Sequence, residues 1–205
     1  GGIDAADPQL LVVVGVGPGP FTGLRVGIVT ALVMGEALGV PVVGVCSLDV
    51  VAWAAEHVLA SPFAVVTDAR RKEVYVARYD ADGRRINEPA VSRPDDLDLD
   101  VRRGPVVGAG AALYADRFSD VRSVAPLDPA ALAAVSAAVV LGSERVAALE
   151  PRPLYLRRPD AVANAGSEPK PSAVLMTRAR NSAFRIPCWL RSGRLGNRER
   201  SLRIF

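Results

Sequence analysis

The sequence predicts an α/β fold, on three observations. An apolar run from Leu10 to Val16, a helical stretch and a second apolar run from Pro41 to Val45 follow one another within residues 10–45, the order of a strand–helix–strand crossover and hence of a parallel pair. Two further strand-like runs, Phe63 to Thr67 and Glu73 to Tyr79, are joined by the polar stretch Asp68-Ala69-Arg70-Arg71-Lys72 and read as a hairpin. Half of the 205 residues are apolar but only 5% are aromatic, so a sizeable core is available and must be built from Val, Leu and Ala.

In chain order, Leu10 to Val16 is unbroken by polar residues, as expected for a strand covered on both faces. Gly17-Pro18-Gly19-Pro20 ends it, and Thr22 is expected to cap a helix running to Leu38, where Gly39 supplies the stop and Pro41 prevents continuation. The most apolar stretch, Val26 to Val45, contains Glu36, Pro41 and several glycines, and reads as a buried helix followed by a strand rather than a membrane span. Asp49 to Leu59 is predicted helical. After the hairpin come a turn at Asp80-Ala81-Asp82-Gly83, a charged connection from Arg93 to Arg103, a strand from Pro105 to Gly108, and a helix from Ala111 to Phe118. Asp128 and Pro129 open an Ala-rich helix to Leu149, Pro151-Arg152-Pro153 ends it, and Leu154-Tyr155-Leu156 is extended.

Charge is unevenly spread. Residues 161–205 carry nine Lys and Arg against Glu168 and Glu199, while the chain as a whole has a formal net charge of only +3. The basic character therefore belongs to a tail, which lacks a periodic face or interleaved aromatics and is expected to be disordered. Cys46 falls in a strand and Cys188 in the tail, so a structural disulfide is not expected, and no CxxC or Cys/His cluster suggests zinc. Residue 1 is Gly and the first strand begins by Leu10, which reads as a start inside a longer protein; with no charged leader or cleavage site, a cytoplasmic location is expected.

Two signals surround the first loop. A glycine-rich strand-to-helix turn can cradle a phosphate on backbone N–H groups, but this spacing fits neither GxGxxG nor GxxxxGK[ST], and Pro18 and Pro20 delete two donors. A stiff structural turn is the better reading. In the helix that follows, Gly23, Gly27, Ala31, Gly35 and Gly39 recur every four residues as a small-residue ridge. Each interior glycine costs about 1 kcal/mol relative to Ala, so close approach of another element is expected there, either this chain's own sheet or a partner. Val26, Val29 and Val33 make the helix apolar nearly all round, which one sheet face does not use up.

Gly17-Pro18-Gly19-Pro20-Phe21-Thr22-Gly23-Leu24-Arg25 resembles the GPGSFTGLR signature of the TsaB (YeaZ) family, bacterial subunits of tRNA threonylcarbamoyladenosine biosynthesis. Asp68-Ala69-Arg70-Arg71-Lys72-Glu73-Val74-Tyr75 resembles that family's DARRGEVY-like hairpin, and Pro153-Leu154-Tyr155-Leu156-Arg157 its P-x-YLR element. The resemblance implies an actin-like, sugar-kinase-like (ASKHA) fold of two RNase H-like lobes, the first incomplete: residues 1–60 the remainder of the first lobe, 61–160 the second lobe and closing segment, and 161–205 the basic tail. It further implies a non-catalytic subunit that binds and activates a TsaD-type transferase, beside a TsaE-type ATPase, with tRNA met indirectly through the complex, self-association as an alternative pairing and no membrane. Gly23, Arg25, Gly27, Ala31 and Gly35 are the interface candidates, and Gly17, Pro18, Gly19, Phe21 and Thr22 the signature loop. Pro20 departs from the family, which usually has Ser there.

Catalytic candidates are few. The related transferase needs a pair of histidines for its metal, whereas this chain has one, His57, and no GxSxG elbow accompanies it for a Ser-His-Asp arrangement. No metal, cofactor or catalytic residue is assigned, and protease activity is not expected. Asp68 is the best isolated carboxylate; a phosphate- or metal-associated role competes with accepting turn hydrogen bonds from Arg70 or Arg71 backbone N–H groups, the favoured reading. Arg25 sits in a first helical turn, where the dipole disfavours a cation, and is expected to pair across an interface or stand exposed. Two rival functions remain, a stand-alone ATP-dependent enzyme of the same superfold and an RNA-binding protein acting through the tail.

Overall fold

The computed structural model describes residues 10–56, 59–123, 129–143 and 145–157. Its first unit is the crossover: β1 (Val12–Gly17), α1 (Phe21–Leu38) and β2 (Val42–Cys46), with the two strands paired in parallel from Val12 opposite Val42 to Gly15 opposite Val45. α2 (Ser47–Glu56) follows directly.

The second unit is a five-stranded sheet in the order β5-β4-β3-β6-β7. β3 (Phe63–Asp68), β4 (Val74–Tyr79) and β5 (Ala90–Ser92) are antiparallel neighbours, and β6 (Pro105–Val107) and β7 (Asp120–Arg122) add in parallel beyond β3. α3 (Leu99–Arg103) precedes β6, and α4 (Ala109–Leu113) lies between β6 and β7. The unit β6–α4–β7 has the same parallel strand–helix–strand plan as β1–α1–β2, so the chain repeats one motif at two scales.

α2 is the shared wall. Leu48, Val51, Ala52 and Ala55 pack with Phe63, Val65, Ala77 and Val107 of the second sheet, whereas Val50 and Trp53 join Val43, Val45, Val135 and Val139 on the other side. The latter two valines belong to α5 (Pro129–Val140), which therefore returns from the second sheet to cover β2. A Val- and Ala-rich core follows from the composition: only Phe63, Tyr79 and Phe118 are buried aromatics among the described residues.

Several predicted boundaries move. α1 begins at Phe21 with Pro20 as its N-cap, and no side chain caps it; the Pro20 carbonyl already accepts from Leu24 N at 3.0 Å, leaving Thr22 inside the helix. Its end at Gly39, in the left-handed region, is as predicted. The predicted helix from Ala111 starts earlier and breaks into α4 and a 3-10 turn at Ala115–Arg117. α5 stops at Val140 rather than Leu149, because Gly142 takes φ 72° and its N–H bonds back to Val139 O at 3.1 Å. The charged connection contains a 3-10 turn, Pro94–Asp96, as well as α3.

The reading of Val26 to Val45 as a buried helix and strand is corrected for its helical half. Ile28, Ala31 and Gly35 are buried, but Val26, Val29, Val33 and Met34 are about half exposed or more. By length and composition α1 is the one helix among the described residues that could cross a membrane; here it lies along β1 with one face packed. Cys188 and the tail 161–205, His57 and Asp128 lie outside the described residues.

Candidate functional site

Two features stand out, the outer face of α1 and a cleft beside its first turn. On α1 the small-residue ridge divides. A Cβ at Gly35 would run into Val42 and come within 3.0 Å of Val40 O, and Ala31 is 5% exposed, so this half of the ridge is occupied by the chain's own β2 region. A Cβ at Gly23 or Gly27 would meet nothing within 4 Å. Of the interface candidates, Ala31 and Gly35 are thus internal packing residues, while Gly23, Arg25 and Gly27 lie on the open half beside Val26 and Val33, both 62% exposed.

The signature loop is held from two sides. Gly17 takes φ 107° and a cis peptide bond joins it to Pro18. Leu154 N donates to Val16 O at 2.8 Å, so the closing segment runs beside β1, and Leu149 and Gly44 exchange two backbone hydrogen bonds of 2.8 Å at β2. This brings Tyr155 onto Phe21, with ring centroids 4.3 Å apart and planes 5° from parallel. Arg25 Nε donates to the Tyr155 hydroxyl at 2.9 Å, and its guanidinium carbon lies 5.0 Å from the Phe21 centroid. Arg25 is therefore engaged within the chain, by Phe21 of the signature loop and Tyr155 of the P-x-YLR element, a pairing that the sequence did not indicate.

The cleft, about 520 Å³, opens between Gly19 and Pro20 of this loop, Val51 of α2, the β3 end at Asp68, and the turn into α4 at Gly108 and Ala109. That turn presses closely on β3: a Cβ at Gly110 would approach the Thr67 backbone to 2.7 Å. Asp68 Oδ1 accepts from Arg70 N at 2.8 Å, the expected turn bond, and its other oxygen pairs with the Arg70 guanidinium at 3.3 Å. A second groove of about 360 Å³ shares Gly19, Pro20, Arg70 and Tyr75 with the first and continues to Tyr155 and Arg157.

Sequence reasoning missed one buried polar cluster. Asp49 on α2, 3% exposed, accepts from the Tyr79 hydroxyl at 2.8 Å and pairs with Arg85 at 3.0 Å. Burial raises the Asp49 carboxyl above its ordinary range, opposed by Arg85 and by the Tyr79 hydrogen bond. Burial and the Asp49 charge push the Tyr79 hydroxyl well up. Nearby Cys46 is raised to about 11, chiefly by burial and then by Asp49. An isolated Asp at the start of a helix gives no hint of this pairing; only the topology brings Arg85 to it. Among the described residues no three His, Cys, Asp or Glu side chains converge as a metal site would require.

The comparisons with known proteins agree with this architecture. The family model described as TsaD, tRNA N6-adenosine threonylcarbamoyltransferase, matches residues 5–119. An uncharacterized protein of Mycobacterium tuberculosis (strain H37Rv) is 48% identical over 151 residues, covering 73% of this chain; the chain spans 65% of that relative's length. The tRNA threonylcarbamoyladenosine biosynthesis protein TsaB of Bacillus subtilis is 39% identical over 70 residues, 33% of this chain and 29% of that protein. A crystal structure of a Pseudomonas aeruginosa protein with similarity to peptidase YeaZ superposes with a TM-score of 0.57 at 25% identity, covering 72% of this chain and 73% of the other. The fold is the actin-like, ASKHA type, and the chain belongs to the tRNA N6-adenosine threonylcarbamoyltransferase family, on its TsaB (YeaZ) branch.

Proposed function

We propose that this chain serves tRNA threonylcarbamoyladenosine biosynthesis as a non-catalytic subunit, docking through α1 on a TsaD-type transferase that works with a TsaE-type ATPase. The observation that carries the reading is the open half of α1. Val26, Val29, Leu32, Val33 and Met34 expose apolar surface along one helix, with Gly23 and Gly27 leaving the backbone approachable between them. Water gains nothing from such a stripe, whereas a second helix seated on it would bury it at about 25 cal/mol per Å². Missing side chains at Gly23 and Gly27 let two helix backbones come close, the geometry that would offset the helix propensity these glycines forfeit.

The reaction itself is assigned to the partner. The chain's contribution would be to hold the transferase in its active arrangement, a role that needs a surface and no reacting group. Reconstitution tests this: transferase and ATPase subunits, tRNA, threonylcarbamoyl-adenylate and ATP, with and without this chain. Threonylcarbamoyl transfer that depends on its addition is expected, and transfer proceeding equally well without it would defeat the proposal.

A second reading, an ATP-dependent enzyme, draws on the cleft of about 520 Å³ between the two strand–helix units. Calorimetric titration of the isolated chain with ATP and magnesium separates the two, since micromolar binding followed by turnover belongs to an enzyme and not to a docking subunit.

A further inference from the structure

We propose that the groove between the signature loop, the hairpin tip and the closing segment is a binding site for a single-stranded RNA segment. Its phosphates would lie on the arginines and a base against Tyr155. The choice of RNA rests on the proposed role in tRNA modification; the site itself rests on what lines it.

Phe21, Tyr75 and Tyr155 face the same volume of about 360 Å³ as Arg70, Arg71 and Arg157, and no carboxylate lines it. In a chain with only 5% aromatics, this groove gathers three rings beside three arginines. Interleaved rings and guanidinium groups are what a sequence-tolerant single-strand site requires: rings accept bases and cations follow the backbone. The basic tail also carries rings, Phe184, Trp189 and Phe205, but lies outside the described residues, whereas this groove brings rings and cations together within the fold.

Asp68 engages Arg70 and Glu73 engages Arg157, and these two arginines line the groove together with Arg71. Arg70 remains 84% exposed despite its pairing. Tyr155 keeps 39% of its surface open, and stacking on Phe21 and the Arg25 hydrogen bond fix its plane.

The hairpin tip supplies a second, independent pointer. Arg70, Arg71 and Lys72 take φ of 62°, 55° and 60°, three successive left-handed residues. Each costs about 1 kcal/mol that glycine would avoid. Three long cations kept in a turn that favours glycine are explained if the side chains themselves are used, here as a row of positive groups along the groove. An acidic peptide would engage the arginines but leave the rings idle, which favours RNA.

The test is fluorescence anisotropy of a labelled single-stranded oligoribonucleotide, about 12 nucleotides long, titrated with the full chain. AMP and ATP serve as competitors, and an oligoglutamate peptide as the acidic control. Binding is expected to weaken about tenfold in Arg70→Glu/Arg71→Glu, with the salt slope falling by roughly 1.4 for two lost phosphate contacts. Tyr155→Leu should weaken it about fivefold or more, and Tyr155→Phe should restore it. Competition by AMP or ATP at the affinity of the oligonucleotide would reassign the site to free nucleotides and overturn the RNA proposal. Equal binding of oligoglutamate, or RNA affinity unchanged in Arg70→Glu/Arg71→Glu, overturns it also. Arg70→Glu/Arg71→Glu should bind the transferase subunit normally, so loss of docking and loss of RNA binding report on separate surfaces.

Discussion

The ring of Tyr155 lies flat on that of Phe21, 4.3 Å between centroids, and Arg25 closes the pair through the Tyr155 hydroxyl at 2.9 Å. The last described segment is thereby fastened to the first turn of α1, next to the surface through which the chain is proposed to dock. A stacked pair contributes about 0.5–1.5 kcal/mol beyond its buried area. A double-mutant cycle of Phe21→Ala and Tyr155→Ala, read by urea denaturation, should return a coupling of about 1 kcal/mol. Strict additivity would mean that the stack holds nothing together.

Asp49, Tyr79 and Arg85 join α2 to the second sheet through charge in a buried place. Removing one member of such a pair leaves the other uncompensated, a loss of about 3–5 kcal/mol. Arg85→Met should therefore destabilise strongly, whereas Tyr79→Phe, which deletes one hydrogen bond, should cost about 1–2 kcal/mol. Comparable, small effects from both would contradict a network centred on the carboxylate.

Cys46 stays a neutral thiol, its pKa raised from 9.0 to about 11 by burial and by Asp49. A raised folded-state pKa means that the protonated form is favoured by folding. The contribution is complete below about pH 9 and lost as pH rises through 11. The stability difference between the parent and Cys46→Ala should accordingly shrink between pH 8 and pH 11. In a Cys188→Ser background, Cys46 should resist iodoacetamide at pH 8.5 until the protein is unfolded. Rapid labelling of the folded chain would refute the burial argument.

The glycines of α1 are not equivalent. Gly27→Ala meets open space and removes a helix-weakening residue, so the isolated chain should gain about 0.5–1 kcal/mol. Gly35→Leu collides with Val42 and Val40 and should lose several kcal/mol by overpacking. Thermal melts of the two variants decide it; equal destabilisation would return the whole ridge to the interior.

What the sequence revealed and what it hid divide along the range of the interactions. β1, α1, β2 and the β3–β4 hairpin were readable because apolar runs, Gly39 and the Asp68–Lys72 turn are local signals. β5 and β7, three residues each, exist only because β4 and β6 stand beside them. Arg25 meets Tyr155 130 positions away and Tyr79 meets Asp49 30 positions away, so neither partnership left a periodic trace. The four-residue recurrence in α1 was visible, but only packing against Val42 could separate Gly35 from Gly27.

Isothermal titration of the TsaD-type transferase subunit with this chain and with Gly27→Trp addresses the docking claim at its root. The parent should bind with a one-to-one heterodimer, and Gly27→Trp, its fold verified by circular dichroism, should lose affinity at least a hundredfold. Retention of full affinity by Gly27→Trp would show that the open half of α1 is not the docking surface.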